Sequence, residues 1–374
     1  MRGKYVIAGI GHTAFGKLPG RTTISMNVEA IRNALADAGI EKDMVDALVC
    51  KPPTSNPEAF YGQKLAEAIG IVPKVGGAWD QGGAANTSLI GFAAMSIDAG
   101  LCEVAVVSFA DNPRTGSRHA YESPKGLSGP YGWFGVPAQY AMLAQRHMAQ
   151  YGTTSEQLGH IAVAARKHGA ANPNAQLKIP ITVEEHQTSR WIVEPLRRDD
   201  CCLISDGGAA VVIMSAERAK KLGIDHAVPI LGFGQGQSSW EIEQRKSLTG
   251  TAAKLSAETA FRMAGIGPKD VDVAQLYDCY TITVLQLLED YGFCEVGQGG
   301  KFVEDGALEV GGALPLNTSG GLLSETGMPG LQLVIEGVRQ LRGESTSQVP
   351  GASTCVVANQ GGVMTTHSTL ILGR

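Results

Sequence analysis

The segment Tyr277-Asp278-Cys279-Tyr280 carries groups that could move protons. A phenol can give or take a proton, and a carboxylate can orient a partner or act as an acid or base itself. The segment follows a short apolar run that predicts a strand, and residues three apart on a strand lie on opposite faces. If the segment stays extended, at most one tyrosine should therefore face a site. The alternative is that one tyrosine is a core residue and the other a turn residue.

Three further polar residues are candidates for the same site. Burial could raise the pKa of Glu325 enough to make it an acid or base, although a glutamate in the first turn of a helix is commonly there because of the helix dipole. His367 lies in a β-rich run and is either a base or a hydrogen-bonded structural residue. Asn317 precedes the pair Gly320-Gly321, where an asparagine usually shapes a turn.

The seven cysteines are scattered, at positions 50, 102, 201, 202, 279, 294 and 355. No pair has the CxxC spacing, and no His/Cys spacing resembles a metal site. The chain begins with basic residues, but the apolar run that follows is too short for a signal peptide. These patterns predict reduced thiols in a cytoplasmic protein, with no metal and no covalently bound cofactor.

The composition excludes several classes of protein. Of the 374 residues, 44% are hydrophobic and 18% are charged, which excludes a disordered chain. The formal net charge is -5, and lysine and arginine do not cluster, so nucleic acid is not an expected partner. No apolar run approaches the ~18 residues that a membrane-spanning helix needs, so we expect no contact with a membrane.

Glycine is unusually frequent, with 48 residues, and many of these residues are paired between apolar runs. Paired glycines indicate tight turns and close approach of backbones. The chain also repeats itself. Three pairs of segments recur in the same order: 38–46 with 264–272, 82–83 with 320–321, and 206–214 with 360–372.

The repeats predict two similar α/β halves, roughly 1–222 and 223–374. The first half is longer, and its extra residues fall at about 112–200, where the composition changes from β-rich to helical and loop-like. We therefore expect a loop domain inserted there. Each Gly-Gly pair, at 82–83 and at 320–321, should open a long helix. A helix N-terminus with free N–H groups suits an anion or an oxyanion.

Five motifs are spread along the chain: Gly9-Ile10-Gly11-His12-Thr13, Ser205–Ala210, Leu276–Thr281, Asn317–Leu323, and Gly361-Gly362 with His367–Gly373. Together they resemble the thiolase superfamily, and most of all its branch of sterol-carrier-protein-type and bacterial lipid-transfer thiolase-like proteins. The resemblance covers essentially the whole chain. It implies an α/β thiolase fold of two duplicated βαβαβαββ halves, in a five-layered αβαβα arrangement with an inserted loop domain.

The resemblance also implies where thiolase chemistry would lie, and this sequence departs from it at three positions. A thiolase needs a nucleophilic cysteine at the start of a buried helix, where the helix N-terminus lowers the thiol pKa. That position falls on Gly83, and no cysteine lies between 51 and 101. The histidine of the family's Gly-His-Pro motif corresponds to Gly327, and a last cysteine or histidine corresponds to Ala358. Ordinary cysteine-dependent condensation or thiolysis is therefore not expected.

Members of this branch that lack the cysteine resemble retro-aldolases of β-hydroxyacyl-CoA thioesters, which shorten steroid side chains and transfer protons with tyrosines. This chemistry needs a base for the β-hydroxyl proton, an acid for the enolate and N–H donors for the thioester oxygen. The candidate proton carriers in this sequence are Tyr277 and Tyr280, of which at most one faces the site if the segment is extended. If a second tyrosine is then required, neither Gly327 nor Ala358 supplies it. The missing side chain at Gly83 should leave space for a tertiary alcohol.

Further roles follow from the same resemblance. Asn317 would hold catalytic water and oxyanion contacts. Glu325 is not a family residue, but it lies beside the position of the missing histidine and would be the replacement acid or base if burial raises its pKa. Coenzyme A enters as part of the substrate, with Arg190 and Arg197 near its phosphates and Trp133 shaping an acyl pocket. The alternatives are that the arginines pair internally at a surface turn and that the tryptophan is a packing residue.

The preferred interpretation is retro-aldol C–C cleavage of an acyl-CoA. One alternative is a non-catalytic thiolase-fold subunit that partners an active thiolase or acyltransferase. Another is an ordinary acetyl-CoA acyltransferase that uses Cys279 or Cys355, although buried thiols are usually small core residues. Besides the acyl-CoA, the expected partner is a second copy in a dimer, an OB-fold zinc-ribbon acyl-CoA-binding protein, or a second thiolase-like chain.

Overall fold

A mixed sheet of nine strands forms the centre of the chain. The structure is a computed structural model that describes residues 2–119, 127, 129–132 and 135–374. The strands are β1 (Tyr5–His12), β2 (Ala47–Cys50), β3 (Val75–Ala78), β4 (Val104–Asp111), β5 (Trp191–Val193), β6 (Leu196–Arg197), β7 (Gly207–Ser215), β8 (Val228–Gln237), β9 (Val273–Leu276), β10 (Thr354–Gly361) and β11 (Thr366–Gly373). The sheet has the order β3-β2-β4-β7-β1-β8-β11-β10-β9, and β5 pairs with β6 in a separate ribbon.

The strands from the two ends of the chain meet where β1 pairs with β8, an antiparallel ladder in which Tyr5 lies opposite Ile230. β2 pairs in parallel with β3 and β4, and β9 pairs in parallel with β10. The other pairings are antiparallel. Five strands of the sheet come from before residue 222 and four from after it, so one continuous sheet joins them. The division of the chain into two halves stays a prediction.

Helices cover the sheet on both faces. In the described part of the chain they are α1 (Thr23–Ala38), α2 (Tyr61–Ile69), α3 (Ala85–Asp98), α4 (Val136–Tyr151), α5 (Ser155–Ala171), α6 (Val183–Thr188), α7 (Ala216–Lys221), α8 (Ala253–Ala264), α9 (Thr281–Asp290), α10 (Gly299–Phe302), α11 (Gly321–Ser324) and α12 (Gln332–Arg342). A smaller core lies between α1, α2 and the strands of the first part, and a larger one surrounds α3.

α1 shows how the sequence fixes a helix on the sheet. Thr22 caps its N-terminus by accepting a hydrogen bond from the backbone N–H of Ser25 at 3.1 Å, and Gly39 ends it in a left-handed conformation. Gly9 and Gly11 lie on β1 beneath the helix, and a β-carbon at either position would collide with the helix backbone. The helix therefore packs directly on the strand. The glycines of β8 meet α8 in the same way.

α3 is buried between strands from both parts of the chain. Ser88 accepts a hydrogen bond from the side chain of Gln235 on β8 at 2.6 Å, and Thr87 bonds to Ser368 on β11. Gly91 lies against the ring of Phe233. A helix that is surrounded by protein carries small or apolar residues on every face. The start of α3 therefore lies deep in the molecule.

The structure contains some of the elements expected from the repeats and lacks one of them among the described residues. The described residues of 112–200 add no strand to the nine-stranded sheet and form α4, α5, α6 and the β5–β6 ribbon. The pair 82–83 precedes α3 as expected. The pair 320–321 opens only the four-residue α11, so the expected long helix there is wrong. The chain leaves the helical path after Ser324, Pro329 lacks a backbone donor, and α12 begins at Gln332. No helix among the described residues is long and apolar enough to cross a membrane.

Candidate active site

A cavity of about 930 Å³ is lined by residues from both parts of the sheet. Its wall includes the turn before α3, the start of α4, the segment between β9 and α9, and the end of β10. The residues of this wall that matter most for chemistry are Gly83, Tyr140, Tyr277, Cys279, Tyr280, Gly327 and Gln360.

Tyr277 stands against the turn that precedes α3. A β-carbon added to Gly83 would lie 2.6 Å from Cζ of Tyr277 and 2.7 Å from its hydroxyl oxygen, and it would also meet the carbonyl of Gln360. The Cε2 atom of Tyr277 also lies 3.0 Å from the position of a β-carbon at Gly330. The space beside Gly83 that we expected for a tertiary alcohol is therefore filled by the phenol of Tyr277.

Both tyrosines of the Tyr277–Tyr280 segment line the cavity. β9 ends at Leu276 and α9 begins at Thr281, so the residues between them form a turn and strand alternation does not apply. The hydroxyl of Thr283 lies within hydrogen-bonding distance of the carbonyls of Tyr277 (2.8 Å) and Tyr280 (2.7 Å), and this contact holds the turn. We expected only one tyrosine to face the site if the segment stayed extended. The segment is a turn, so that expectation does not apply.

The phenol oxygens of Tyr277 and Tyr280 have no hydrogen-bond partner among the described residues. Burial raises the pKa of both phenols well above 10. Nearby thiols add to this shift, Cys279 most for Tyr277 and Cys202 most for Tyr280. Near neutral pH both side chains are therefore predominantly neutral phenols, and one that acts as a base does so as its minor tyrosinate form.

A third tyrosine, Tyr140 on α4, lines the cavity and was not predicted from the sequence. Its ring stacks on that of Tyr280, with centroids 4.3 Å apart and planes at 26°. Its hydroxyl donates to the carbonyl of Gly362 at 2.9 Å and accepts from Nε2 of Gln360 at 2.7 Å, and burial raises its pKa well above 10. The sequence of α4 predicts a helix, but nothing in it links this helix to the tyrosines after β9.

Asp278 and Asn317 support the backbone that carries the tyrosines and lie outside the described wall of the cavity. The carboxylate of Asp278 accepts hydrogen bonds from the backbone N–H groups of Leu322 (2.8 Å) and Leu323 (3.3 Å), and burial raises its pKa to about 6. The amide of Asn317 accepts from the N–H of Leu276 and donates to its carbonyl, both at 2.8 Å. These contacts make both residues positioning residues for the segment that follows β9.

Glu325 and His367 are buried and also lie outside the described wall of the cavity. The carboxylate of Glu325 accepts from Oγ of Ser319 (2.7 Å) and from Nδ2 of Asn172 (3.0 Å), and burial raises its pKa to about 7. Nε2 of His367 lies 3.1 Å from the carbonyl oxygen of Met364, and burial lowers the pKa of this imidazole to about 4. Catalytic roles for these two residues stay predictions.

Comparison with known proteins finds relatives along the whole length of this chain. A family model described as thiolase C-terminal domain-like matches residues 234–374. A steroid side-chain-cleaving aldolase of Thermomonospora curvata is 41% identical over 99% of this chain and 98% of its own length. A 17-hydroxy-3-oxo-4-pregnene-20-carboxyl-CoA lyase of Mycobacterium tuberculosis is 39% identical, with 100% of both chains covered. Sterol carrier protein 2 of Bos taurus is 32% identical over 96% of this chain and 70% of its own length.

The chain belongs to the thiolase superfamily. Within it, the relatives place the chain in the sterol-carrier-protein-type branch. A solved structure of an Ltp2-ChsH2(DUF35) aldolase matches with a TM-score of 0.89 and 39% identity, and the match covers 100% of this chain and 98% of that one. The thiolase fold expected from the sequence is confirmed.

The three positions at which the resemblance implies a departure from the thiolase pattern have different surroundings. Gly83 and Gly327 line the cavity, whereas Ala358 is buried within β10. The residue of β10 that reaches the cavity with a polar side chain is Gln360. A β-carbon at Gly327 would collide with the carbonyl of Leu203, so a histidine cannot stand there unless the chain shifts.

Burial disfavours the thiolate form of the two thiols, Cys279 and Cys355, that were considered as substitutes for a thiolase nucleophile. Cys279 lines the cavity, but burial raises its pKa to about 12. Cys355 is fully buried in β10, and burial raises the pKa of this thiol as well. Because attack on a thioester needs the thiolate, neither residue supports ordinary acetyl-CoA acyltransferase chemistry.

Neither of the two arginines selected from the sequence for the CoA phosphates is among the residues that line the cavity. Arg190 is exposed. The guanidinium of Arg197 lies 3.8 Å from the ring centroid of Trp191 and donates to the carbonyl of Ser189 at 2.8 Å. Trp133 lies outside the described residues. Within the described ranges, no group of three or more His, Cys, Asp or Glu side chains could hold a metal ion.

Proposed function

We propose that this chain cleaves a C–C bond in a β-hydroxyacyl-CoA thioester by a retro-aldol reaction, without a covalent acyl-enzyme. The observation that carries the proposal is the pair Tyr277 and Tyr280. Their phenols line a large cavity beside the turn before α3, and they have no hydrogen-bond partner in the described part of the chain. Two relatives that are named an aldolase and a CoA lyase support the same class of reaction.

The reaction requires one proton to leave and one to arrive. A base takes the proton of the β-hydroxyl group, the C–O bond becomes a carbonyl, and the bond between Cα and Cβ breaks. Its electron pair passes into the thioester, which becomes an enolate. An acid then delivers a proton to Cα, so the products are a ketone or aldehyde and a shortened acyl-CoA. No step needs a nucleophile at Gly83.

We assign the acid role to Tyr277 and the base role to Tyr280. Tyr277 lies against Gly83, where the N-terminus of α3 offers N–H groups and the positive end of the helix dipole to a thioester oxygen. A phenol with a raised pKa is protonated and can donate to the enolate that forms there. Tyr280 is held by its stack on Tyr140 and faces the same cavity, where its tyrosinate form takes the β-hydroxyl proton and becomes the neutral phenol.

The acyl group in our proposal is large and apolar and carries a tertiary alcohol, as in a steroid side chain. The cavity volume of about 930 Å³ lies at the upper end of the usual range for ligand pockets. Its apolar lining includes Phe109, Ile192 and Trp240. The names of the relatives support a steroid substrate.

The proposed partner is an acyl-CoA-binding protein of the DUF35 type, with an OB fold and a zinc ribbon. The support is the full-length similarity to the Ltp2-ChsH2(DUF35) aldolase, which is a complex. A homodimer, or a pair with a second thiolase-like chain, is the other arrangement that we expect. Co-expression with neighbouring open reading frames, followed by mass analysis of the purified complex, identifies the partner.

The proposed activity is tested by incubating the full chain, alone and with its co-purified partner, with β-hydroxyacyl-CoA and β-ketoacyl-CoA thioesters. We expect a ketone or aldehyde and a shortened acyl-CoA from the β-hydroxy compounds alone. Tyr277→Phe and Tyr280→Phe should each lower kcat by about 10²- to 10⁴-fold without changing thermal unfolding. No turnover, together with tight binding to a cysteine-bearing thiolase, would instead show a non-catalytic subunit.

The two proton-transfer roles can be separated by hydrogen exchange in D₂O. The group that protonates Cα also removes a proton from Cα in the reverse direction, so the wild type should exchange the Cα hydrogens of the product acyl-CoA. Tyr277→Phe should lose this exchange. Tyr280→Phe should keep it, because exchange does not involve the β-hydroxyl group. The opposite pattern would reverse the two roles.

A further inference from the structure

A second, smaller cavity carries three cationic side chains that have no part in the proposed chemistry. Its volume is about 390 Å³. The wall is formed by α4 and by the segment between β8 and α8, and we call it the Arg245 cavity. Its lining residues are Arg146, Gln150, Arg245, Lys246, Ser247 and Leu248.

The cations of the Arg245 cavity have no carboxylate partner among the described residues. Arg245 is half-buried: its guanidinium donates to the carbonyl of Val363, its Nε is buried without a partner, and burial lowers its pKa. The side chain of Arg342, in contrast, is 3% exposed and pairs with Asp37 at 2.9 Å. A buried charge is normally paired with an opposite charge, because leaving it without a partner costs free energy. The missing anion at Arg245 therefore points to a ligand.

The Arg245 cavity lies beside the cavity that holds the tyrosines. Val363 and Ile242 line that first cavity, and their carbonyls accept hydrogen bonds from the guanidinium and the backbone N–H of Arg245. α4 also joins the two cavities, because Tyr140 lines the first and Arg146 lines the second. Six residues of helix rise by about 9 Å. Val363 and Arg245 therefore stand between the two cavities, and a molecule with its reacting end at the tyrosines would pass Val363 to reach the cations.

We propose that the Arg245 cavity binds phosphate groups of the CoA moiety of the substrate. This inference rests on the proposed function, which makes CoA part of the substrate. Guanidinium groups donate to phosphate oxygens in pairs, and an ammonium group such as that of Lys246 attracts them as a point charge. Arg190 and Arg197, the arginines selected from the sequence, form the competing site.

Steady-state kinetics with two thioesters of the same acyl group test the assignment. One substrate is the CoA thioester, and the other is the pantetheine thioester, which has no phosphate groups. Arg146→Gln combined with Lys246→Gln should raise KM for the CoA thioester by about tenfold or more, which is about 1.4 kcal/mol. The values of kcat and of KM for the pantetheine thioester should not change. Lys220→Gln combined with Lys221→Gln, at exposed positions of α7, is the matched control and should change neither KM. Arg190→Gln combined with Arg197→Gln tests the competing site, because a selective rise of KM for the CoA thioester in this variant alone would place the phosphates there.

Direct binding of CoA, measured by calorimetry, separates this inference from the proposed function. The wild type should bind CoA less tightly as salt is added. The Arg146→Gln/Lys246→Gln variant should bind it about tenfold more weakly with unchanged thermal unfolding. The inference is overturned if both thioesters show the same rise in KM, or if the Arg190→Gln/Arg197→Gln variant alone loses CoA binding. If CoA binds as expected but no thioester is cleaved, the phosphate site stands and the lyase activity does not.

Discussion

The ring of Tyr277 occupies the space that a side chain at Gly83 would need. A β-carbon at this glycine would lie 2.6 Å from Cζ of the tyrosine and 2.7 Å from its hydroxyl oxygen, and it would meet the carbonyl of Gln360 as well. The missing side chain and the tyrosine are therefore parts of one arrangement. A phenol stands beside the start of α3, at the position where the resemblance to thiolases would put the thiol.

Gly83→Cys should consequently fail to restore thiolase chemistry. The new β-carbon must displace Tyr277 or the backbone at Gln360, and overpacking of this kind costs about 1–3 kcal/mol. We expect a lower temperature of thermal unfolding, loss of lyase turnover, and no acyl-enzyme in the intact mass after incubation with acyl-CoA. Gly76→Ala is the control, because the nearest atom to its β-carbon would be 3.4 Å away. A stable Gly83→Cys protein that becomes acylated would contradict this prediction.

Tyr140 should position Tyr280 without taking part in proton transfer. Tyr140→Phe keeps the stacked ring and loses the hydroxyl contacts to Gln360 and Gly362, each worth about 0.5–1.5 kcal/mol of stability. Its kcat should stay within a few-fold of the wild type. Tyr140→Leu also removes the stack and should lower kcat by about tenfold or more. Thermal unfolding and kcat of both variants check this, and loss of turnover in Tyr140→Phe alone would give the hydroxyl a chemical role.

The fold could be predicted from the sequence because its signals are local or are spread along the chain. The helical spacing before Gly39 and the glycine in the left-handed conformation at this helix end correspond to α1. The motifs that resemble thiolases run from the first strand to the last. The start of α12 was not predicted, because the path from Ser324 to Gln332 depends on how the chain turns around Pro329.

The site could be predicted only in part. Tyr277 and Tyr280 are found because they are neighbours in the sequence. Their shared orientation depends on the turn that Thr283 holds, and strand alternation does not foresee it. Tyr140 and Arg245 line their cavities because α4 and the segment after β8 pack beside them. The sequence has no local signal for this tertiary packing.

The rate of cleavage should rise with pH. Tyr280 can take the β-hydroxyl proton only as a tyrosinate, and burial, followed by the nearby Cys202 and Cys201, raises the pKa of Tyr280 well above 10. Below that pKa the tyrosinate fraction grows tenfold per pH unit. The logarithm of kcat/KM should therefore climb with a slope of about one between about pH 7 and pH 9. The residual activity of Tyr280→Phe should lack this slope. A profile that levels off near pH 6 or 7 would point to Asp278 or Glu325, with pKa values of about 6 and about 7.

Glu325 should make the folded protein less stable as the pH rises towards neutrality. Burial raises the pKa of this carboxyl from 4.5 to about 7, despite hydrogen bonds from Ser319 and Asn172. Between these values the folded chain holds a proton that the unfolded chain has released, so the free energy of unfolding falls by up to about 1.4 kcal/mol per pH unit. Glu325→Gln cannot titrate, so its stability relative to the wild type should increase from about pH 5 to pH 8 in denaturant titrations.

Glu258→Gln, at an exposed position of α8, is the control for the Glu325→Gln variant. A difference between Glu325→Gln and the wild type that stays constant with pH would show that the Glu325 carboxyl has a pKa in the folded protein close to its unfolded value.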